Sequence, residues 1–132
     1  MAETSYTLEK TPVHLGDQTA TPVQDFSYDG PSWERYVSEY CSGADVGRLL
    51  MVETTPGDWP AWECHQDGDE VVIVLEGKGT FYHRRDGEVT EMAFEPGSTL
   101  INPKGVWHTA DCEGPMKAIY ITPCPGTIHE PR

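Results

Sequence analysis

From Val46 to Thr122 the sequence is cut by turn signals at short, even intervals, and few folds are compatible with that. Gly, Pro and Asp-Gly pairs stop each run before it reaches helix length. VGRLLMVETT is closed by PGDWP, and AWECH leads into the polar turn Gln66 to Asp69. EVVIVLEG, Glu70 to Gly77, is nearly continuous in apolar residues, as a buried strand would be. GTFYHRR ends at the hairpin signal Asp86-Gly87, and EVTEMAFE ends at Pro96-Gly97. STLINP stops at Pro103, GVWHTA starts after Gly105, and KAIYIT closes the set at Thr122. About seven or eight short strands at regular spacing, with little helix, predict an all-β sandwich or barrel.

Outside this region the texture differs. Residues 1–30 are polar and rich in Thr, Pro and Gly, which predicts an irregular arm. PSWERYVSEYC, Pro31 to Cys41, predicts one short helix with Ser32 as its cap and Trp33, Val37 and Tyr40 on one face. The tail PCPGTIHEPR is again rich in Pro and expected to be irregular. A chain of 132 residues suits one domain. The division expected is an arm over 1–30 and a single β-barrel domain over 31–132.

The formal net charge of −13 excludes a basic face of the kind that binds phosphate backbones, and equally docking on anionic lipid. No apolar run has the length of a membrane span, and the first twenty residues lack the basic and apolar segments of a secretory signal. Cys41, Cys64, Cys112 and Cys124 show no C-x-x-C spacing. With no export signal, they are expected to be four free thiols in a cytoplasmic protein.

The stretch WECHQDGDEVVIVLEGKG concentrates the chemistry. Side chains alternate faces along a strand, so Glu63 and His65 point one way and Cys64 the other. Charged groups facing an interior are costly unless paired or bound to a metal. After the polar turn, Glu70 opens the next strand and is expected to meet His65 from a neighbouring strand. NPKGVWH delivers His108 after a Pro/Gly turn. Two imidazoles and two carboxylates suit a divalent transition metal, and two His with one carboxylate would make a facial triad.

These spacings resemble the cupin superfamily. Its first motif, Gly-x5-His-x-His-x3-4-Glu-x6-Gly, is matched by Gly57, His65, Glu70 and Gly77, with Glu63 in place of the first His. Its second, Gly-x5-Pro-x-Gly-x2-His-x3-Asn, is matched by Gly97, Pro103, Gly105 and His108, with Cys112 in place of the Asn. The W-E-x-H-x-x-G-D-E stretch and the I-T-P-x-P-G-T end are similar to those of small bacterial single-domain cupins. The resemblance implies a conical double-stranded β-helix, or jelly-roll, barrel. It implies a metal inside that barrel, with ligands at Glu63, His65, Glu70 and His108. Glu63 departs from the motif, so it is either a ligand or a carboxylate facing solvent or a basic partner.

The expected cofactor is a divalent transition metal, with Mn, Fe, Ni and Zn as candidates. The expected partner is a small-molecule substrate. One function class is a lyase, isomerase or dehydratase using the metal as a Lewis acid. Glu70, Tyr82, His83 and Tyr120 are then the candidate catalytic side chains. The alternatives are an Fe(II) dioxygenase built on a His/His/Glu site and a non-catalytic binding module. His83 either lines the barrel or is structural, and His14 and His129 are expected to be exposed. Cys112 is expected to be a buried free thiol. Trp62, Trp107, Phe81 and Tyr82 are core candidates, some of which can wall a pocket. The arm and the helix around Trp33 lack an obvious place in one barrel. They predict a homodimer, with the arm covering a neighbour's sheet edge.

Overall fold

Among the described residues, eleven strands and one helix follow one another in chain order. They are β1 (Val13–Leu15), β2 (Ala20–Pro22), α1 (Gly30–Tyr40), β3 (Arg48–Thr55), β4 (Ala61–His65), β5 (Glu70–Glu76), β6 (Gly79–Arg85), β7 (Glu88–Phe94), β8 (Thr99–Asn102), β9 (Trp107–Cys112), β10 (Met116–Pro123) and β11 (Thr127–Pro131). The structure is a computed structural model that describes residues 4–43, 46–124 and 126–132. The Asp86-Gly87 turn has positive φ at both residues, 50° and 80°, as a two-residue hairpin of this sequence demands. Gly77 has φ +97°, and a Cβ there would stand 2.6 Å from the Pro115 carbonyl oxygen, so this motif position admits only glycine.

The strands make two antiparallel sheets, ordered β2-β1-β3-β10-β5-β8 and β11-β4-β9-β6-β7, which face each other as a jelly-roll barrel. Their registers stack the inward side chains in layers. Val74 pairs with Ala118, and Val72 pairs with both Tyr120 and Leu100. In the other sheet Phe81 pairs with Ala110. All of these belong to one apolar core with Trp59, Phe94 and Met116. The next layer is polar: Glu70 pairs with Asn102, and His83 pairs with His108. All four are buried. The barrel therefore has an apolar core overlaid by a polar layer.

Several local readings need correction. The segment expected as an irregular arm contributes β1 and β2, which join the edge of β3 in their own sheet. That placement covers the edge within one chain and removes the reason given for a dimer. Residues 1–3 of the arm lie outside the described residues. Helix α1 is capped by Asp29, which accepts from the Ser32 amide at 2.8 Å, and Ser32 instead accepts from the Ser27 amide at 3.1 Å. Its buried face is Ser32 and Tyr36, with Val37 exposed, because Tyr36 packs on Tyr40 and its hydroxyl meets buried His14 at 2.7 Å. His14 is thus an interior residue and not an exposed one.

The tail is not irregular either: β11 pairs along β4. Pro125 lies outside the described residues. Cys41 and Cys124 form a disulfide with Cα atoms 6.0 Å apart, which corrects the expectation of four free thiols. Sequence spacing could not show it because 83 residues separate the pair. Cys64, buried, and Cys112, partly buried, are free. Among the described residues no helix is long and apolar enough to cross a membrane.

Candidate metal centre

Cross-strand pairing assembles the site. His129 lies opposite Glu63, Glu63 opposite His108, and His108 opposite His83, giving a row of four across β11, β4, β9 and β6. His65 stands two residues beyond Glu63 on the same face, and Thr127 of β11 lies opposite it. Glu70 comes from the other sheet. The expectation that it sits on a strand adjacent to that of His65 is wrong, because the Gln66–Asp69 turn carries the chain across the barrel mouth. That crossing is pinned by the Lys104 amide donating to Asp69 Oδ1 at 2.7 Å and by the Gly105 amide donating to the His65 carbonyl at 2.9 Å.

The side chains converge on one point. His65 Nε2 lies 3.5 Å from Glu63 Oε1 and 3.1 Å from Glu70 Oε2. His108 Nε2 lies 3.6 Å from Glu63 Oε1 and 3.5 Å from Glu70 Oε1. One ligand atom each from Glu63, His65 and His108 lies within 4.8 Å of the others. Glu70 is at least as near to both imidazoles, but its oxygens are engaged, Oε1 accepting from Asn102 Nδ2 at 2.9 Å and Oε2 from Thr122 Oγ1 at 2.7 Å. Asn102 Oδ1 in turn meets His83 Nε2 at 2.8 Å. Since the Asn102 amide nitrogen is given to Glu70, its oxygen accepts, and His83 carries the hydrogen on Nε2. His83 is therefore a prop for Glu70 through Asn102.

Two observations fit a cation here. His65 Nε2 and His108 Nε2 are buried and have no hydrogen-bond partner, although carboxylates stand near them. A buried ring nitrogen without a partner is costly in an empty protein and is what a metal ligand presents before binding. In addition, His65 Nδ1 is held by Thr127 Oγ1 at 2.9 Å, the outer contact that orients a metal-binding imidazole. Burial pushes the Glu63 carboxyl up, but the imidazoles of His108 and His129 outweigh it and hold the group well below the usual carboxylate range. Burial pushes the His65 imidazolium down, and the carboxylates of Glu70 and Glu63 more than offset it, so its pKa is raised.

The centre opens into a cavity of about 920 Å³. Its walls include Trp33, Tyr36, Met51, Trp59 and Tyr120, and its polar lining includes Glu53, Glu63, His65, Glu70 and His129. Glu53 points inward with Leu49 and Met51 by period two on β3, a position the sequence reading passed over. Burial, then the charges of Glu63 and Glu70, raise its pKa. Tyr120 is 4 % exposed and its hydroxyl has no partner. Burial, then Glu53, Glu70 and Glu63, drive its pKa far above the phenol value.

Other candidates land elsewhere. Tyr82 does not line the cavity; its hydroxyl donates to Asp111 Oδ2 at 2.9 Å on the opposite face of β6. Trp62 and Trp107 are not core residues; the Arg84 guanidinium lies over their rings, 4.6 and 5.3 Å from the centroids. Phe81 is fully buried, and Trp59, unremarked in the sequence, joins it in the core. His129 is largely exposed yet stands 3.4 Å from Glu63 Oε2.

A family model for the cupin domain matches residues 50–122, more than half of the 132. No curated protein matches. Among solved structures, hydroxypropylphosphonic acid epoxidase from S. wedmorenis in complex with fosfomycin is 21 % identical with a TM-score of 0.51, over 58 % of this chain and 43 % of that one. Hydroquinone 1,2-dioxygenase from Sphingomonas sp. TTNP3 with 4-hydroxybenzoate bound is 12 % identical at 0.50, over 61 % of each chain. A structure of DMSP lyases, RdDddP and RnDddQII, is 20 % identical at 0.50, over 60 % of this chain and 40 % of that one. The chain thus spans less than two thirds of each of these proteins, and at such identities the likeness is one of fold.

Proposed function

The chain belongs to the cupin-domain family, and on that premise we propose that it is a metal-dependent enzyme acting on a small organic molecule by non-redox chemistry. Glu63, His65 and His108 would hold a divalent transition metal, with Glu70 beside them as a fourth candidate. The observation that carries this reading is the pair of buried, unpartnered ring nitrogens of His65 and His108 beside two carboxylates at a cavity. When bound, the ion supplies Lewis-acid polarisation of a carbonyl or hydroxyl. Two carboxylates make the assembly formally neutral, which keeps hard ions such as Mn²⁺ and Fe²⁺ competitive. Tyr120, which keeps its proton, can hydrogen-bond a substrate oxygen. Glu53, with its raised pKa, suits proton transfer. Trp59, Tyr36 and Met51 wall the cavity and limit water there. A lyase, isomerase or dehydratase would use these groups.

A second reading has its own support. Both Glu70 oxygens already accept hydrogen bonds, which leaves two His and one carboxylate, the donor set of non-haem iron oxygenases. Dioxygen consumption by the iron-loaded protein would decide for it. Tight binding of a metabolite without conversion would decide for a binding module.

The test is metal content and melting. Protein prepared without a chelating tag should bind one of Mn²⁺, Fe²⁺, Ni²⁺ or Zn²⁺. Metal at a hundredfold excess over Kd should stabilise it by about 2.7 kcal/mol. His65→Ala and His108→Ala should abolish that shift. Absence of binding by all four ions would sink the reading. Two further expectations stay proposals. The homodimer is checked by light scattering at micromolar concentration, where a single-chain mass rules it out. The cytoplasmic location is inferred from the lack of an export signal, and the Cys41–Cys124 pair removes the free-thiol expectation that went with it.

A further inference from the structure

The described residues lining the cavity include four carboxylates, Glu53, Asp58, Glu63 and Glu70, and no Lys or Arg. A divalent ion on the proposed centre balances Glu63 and Glu70. Asp58 is engaged by the Cys112 amide at 2.8 Å. Glu53 is left: among the described residues no hydrogen bond or ion pair holds its carboxyl. Its register partner across the sheet is Ala118, two residues from Tyr120 on the same inward face, so the two side chains are diagonal neighbours. The Tyr120 hydroxyl is buried and without a partner, as is Trp59 Nε1. The rest of the wall is aromatic or apolar: Trp33, Tyr36, Met51 and Trp59. An isolated carboxylate in such a wall is costly and would be satisfied by a cation arriving with the ligand. Aromatic faces add to the attraction for an ammonium group.

We propose that Glu53 and Tyr120 form a subsite for the ammonium group of an organic amine, whose apolar body lies against the aromatic wall. This rests on the reading of the cavity as the substrate pocket. It sets a substrate class: a primary or secondary amine with an aromatic or branched aliphatic body, and not a carboxylate or phosphonate. An anionic ligand would meet Glu53 with no Lys or Arg in the described lining to offset it.

The experiment compares three probes of nearly equal shape on the metal-loaded protein by calorimetry: tyramine, neutral 4-ethylphenol and anionic 4-hydroxyphenylacetate. Tyramine should bind at least about tenfold tighter than 4-hydroxyphenylacetate, the least that a charge-assisted hydrogen bond contributes. Glu53→Gln should reduce that ratio to less than about threefold, and Glu53→Asp, which keeps the charge, should preserve it. Equal or tighter binding of the anion overturns the proposal, as does no binding of tyramine or an undiminished preference in a folded Glu53→Gln. Metal binding, titrated separately, should be retained in Glu53→Gln, whose amide keeps the shape of the side chain. Protein that binds no metal yet prefers tyramine would refute the metal centre and leave the amine subsite standing.

Discussion

Replacing Thr127 by valine removes one oxygen and should weaken metal binding about tenfold. Thr127 Oγ1 lies 2.9 Å from His65 Nδ1, and that contact fixes the ring so that Nε2 faces Glu63, Glu70 and His108. Valine keeps the shape of the side chain but cannot accept the hydrogen. A neutral hydrogen bond contributes about 0.5–1.5 kcal/mol net, and an orphaned buried donor costs about 1–3 kcal/mol. Thr127 is exposed on β11, so water can replace part of the contact, and a cost near the bottom of the orphaned-donor range applies. About 1.4 kcal/mol corresponds to a factor of ten in Kd. The assay is competitive titration against a chromophoric chelator, with melts of the apo and loaded forms. Thr127→Ser, which retains the hydroxyl, should behave as wild type. A Kd for Thr127→Val within about twofold of wild type, together with a lower apo melting temperature, would refute the reasoning. Thr127 would then be structural, and His65 would not be a ligand oriented from outside.

Other perturbations read the same site. The pKa of His65 is raised, so at pH 6 the apo protein holds a proton there that the metal must displace; affinity should rise from pH 6 to pH 8, with proton release in calorimetry. Glu63→Ala should lose most of the metal affinity, while Glu63→His should keep the ion and raise the charge of the site by one, as metal analysis and native mass spectrometry can show. Thiol counting under denaturing, non-reducing conditions should find two cysteines, and reduction should lower stability in urea by up to about 4.5 kcal/mol, the loop-closure value for an 83-residue separation.

What the sequence made legible was local. Asp86-Gly87 specified its hairpin through backbone chemistry, and alternation placed Glu63 and His65 on one face and Cys64 on the other. The motif spacing located His108 because short strands between fixed turns leave little freedom of register. What escaped depends on contacts distant in sequence. Glu70 reaches the centre from the opposite sheet, and nothing in GDEVV says which sheet its strand will join. The TIHEP tail lacks a strong strand pattern, since all five residues are exposed, and it is held by pairing with β4. Glu53 was hidden in VETT, where a carboxylate at an inward position looks like any surface residue. His14 is buried where Tyr36 and Tyr40 arrive from the helix, the Tyr36 hydroxyl meeting its ring nitrogen.

The Cys41–Cys124 bond gives the molecule a covalent outline different from that of an open chain. Every residue between the two sulfurs, including Glu53, Glu63, His65, Glu70, His108 and Tyr120, belongs to one closed ring, with a tail at each side. A single cut in the ring opens it without releasing a piece. Protease nicking at the exposed Asp86-Gly87 turn should therefore give a band of intact mass on a non-reducing gel and two fragments once thiol is added. The same property makes that turn the natural place to move the chain ends.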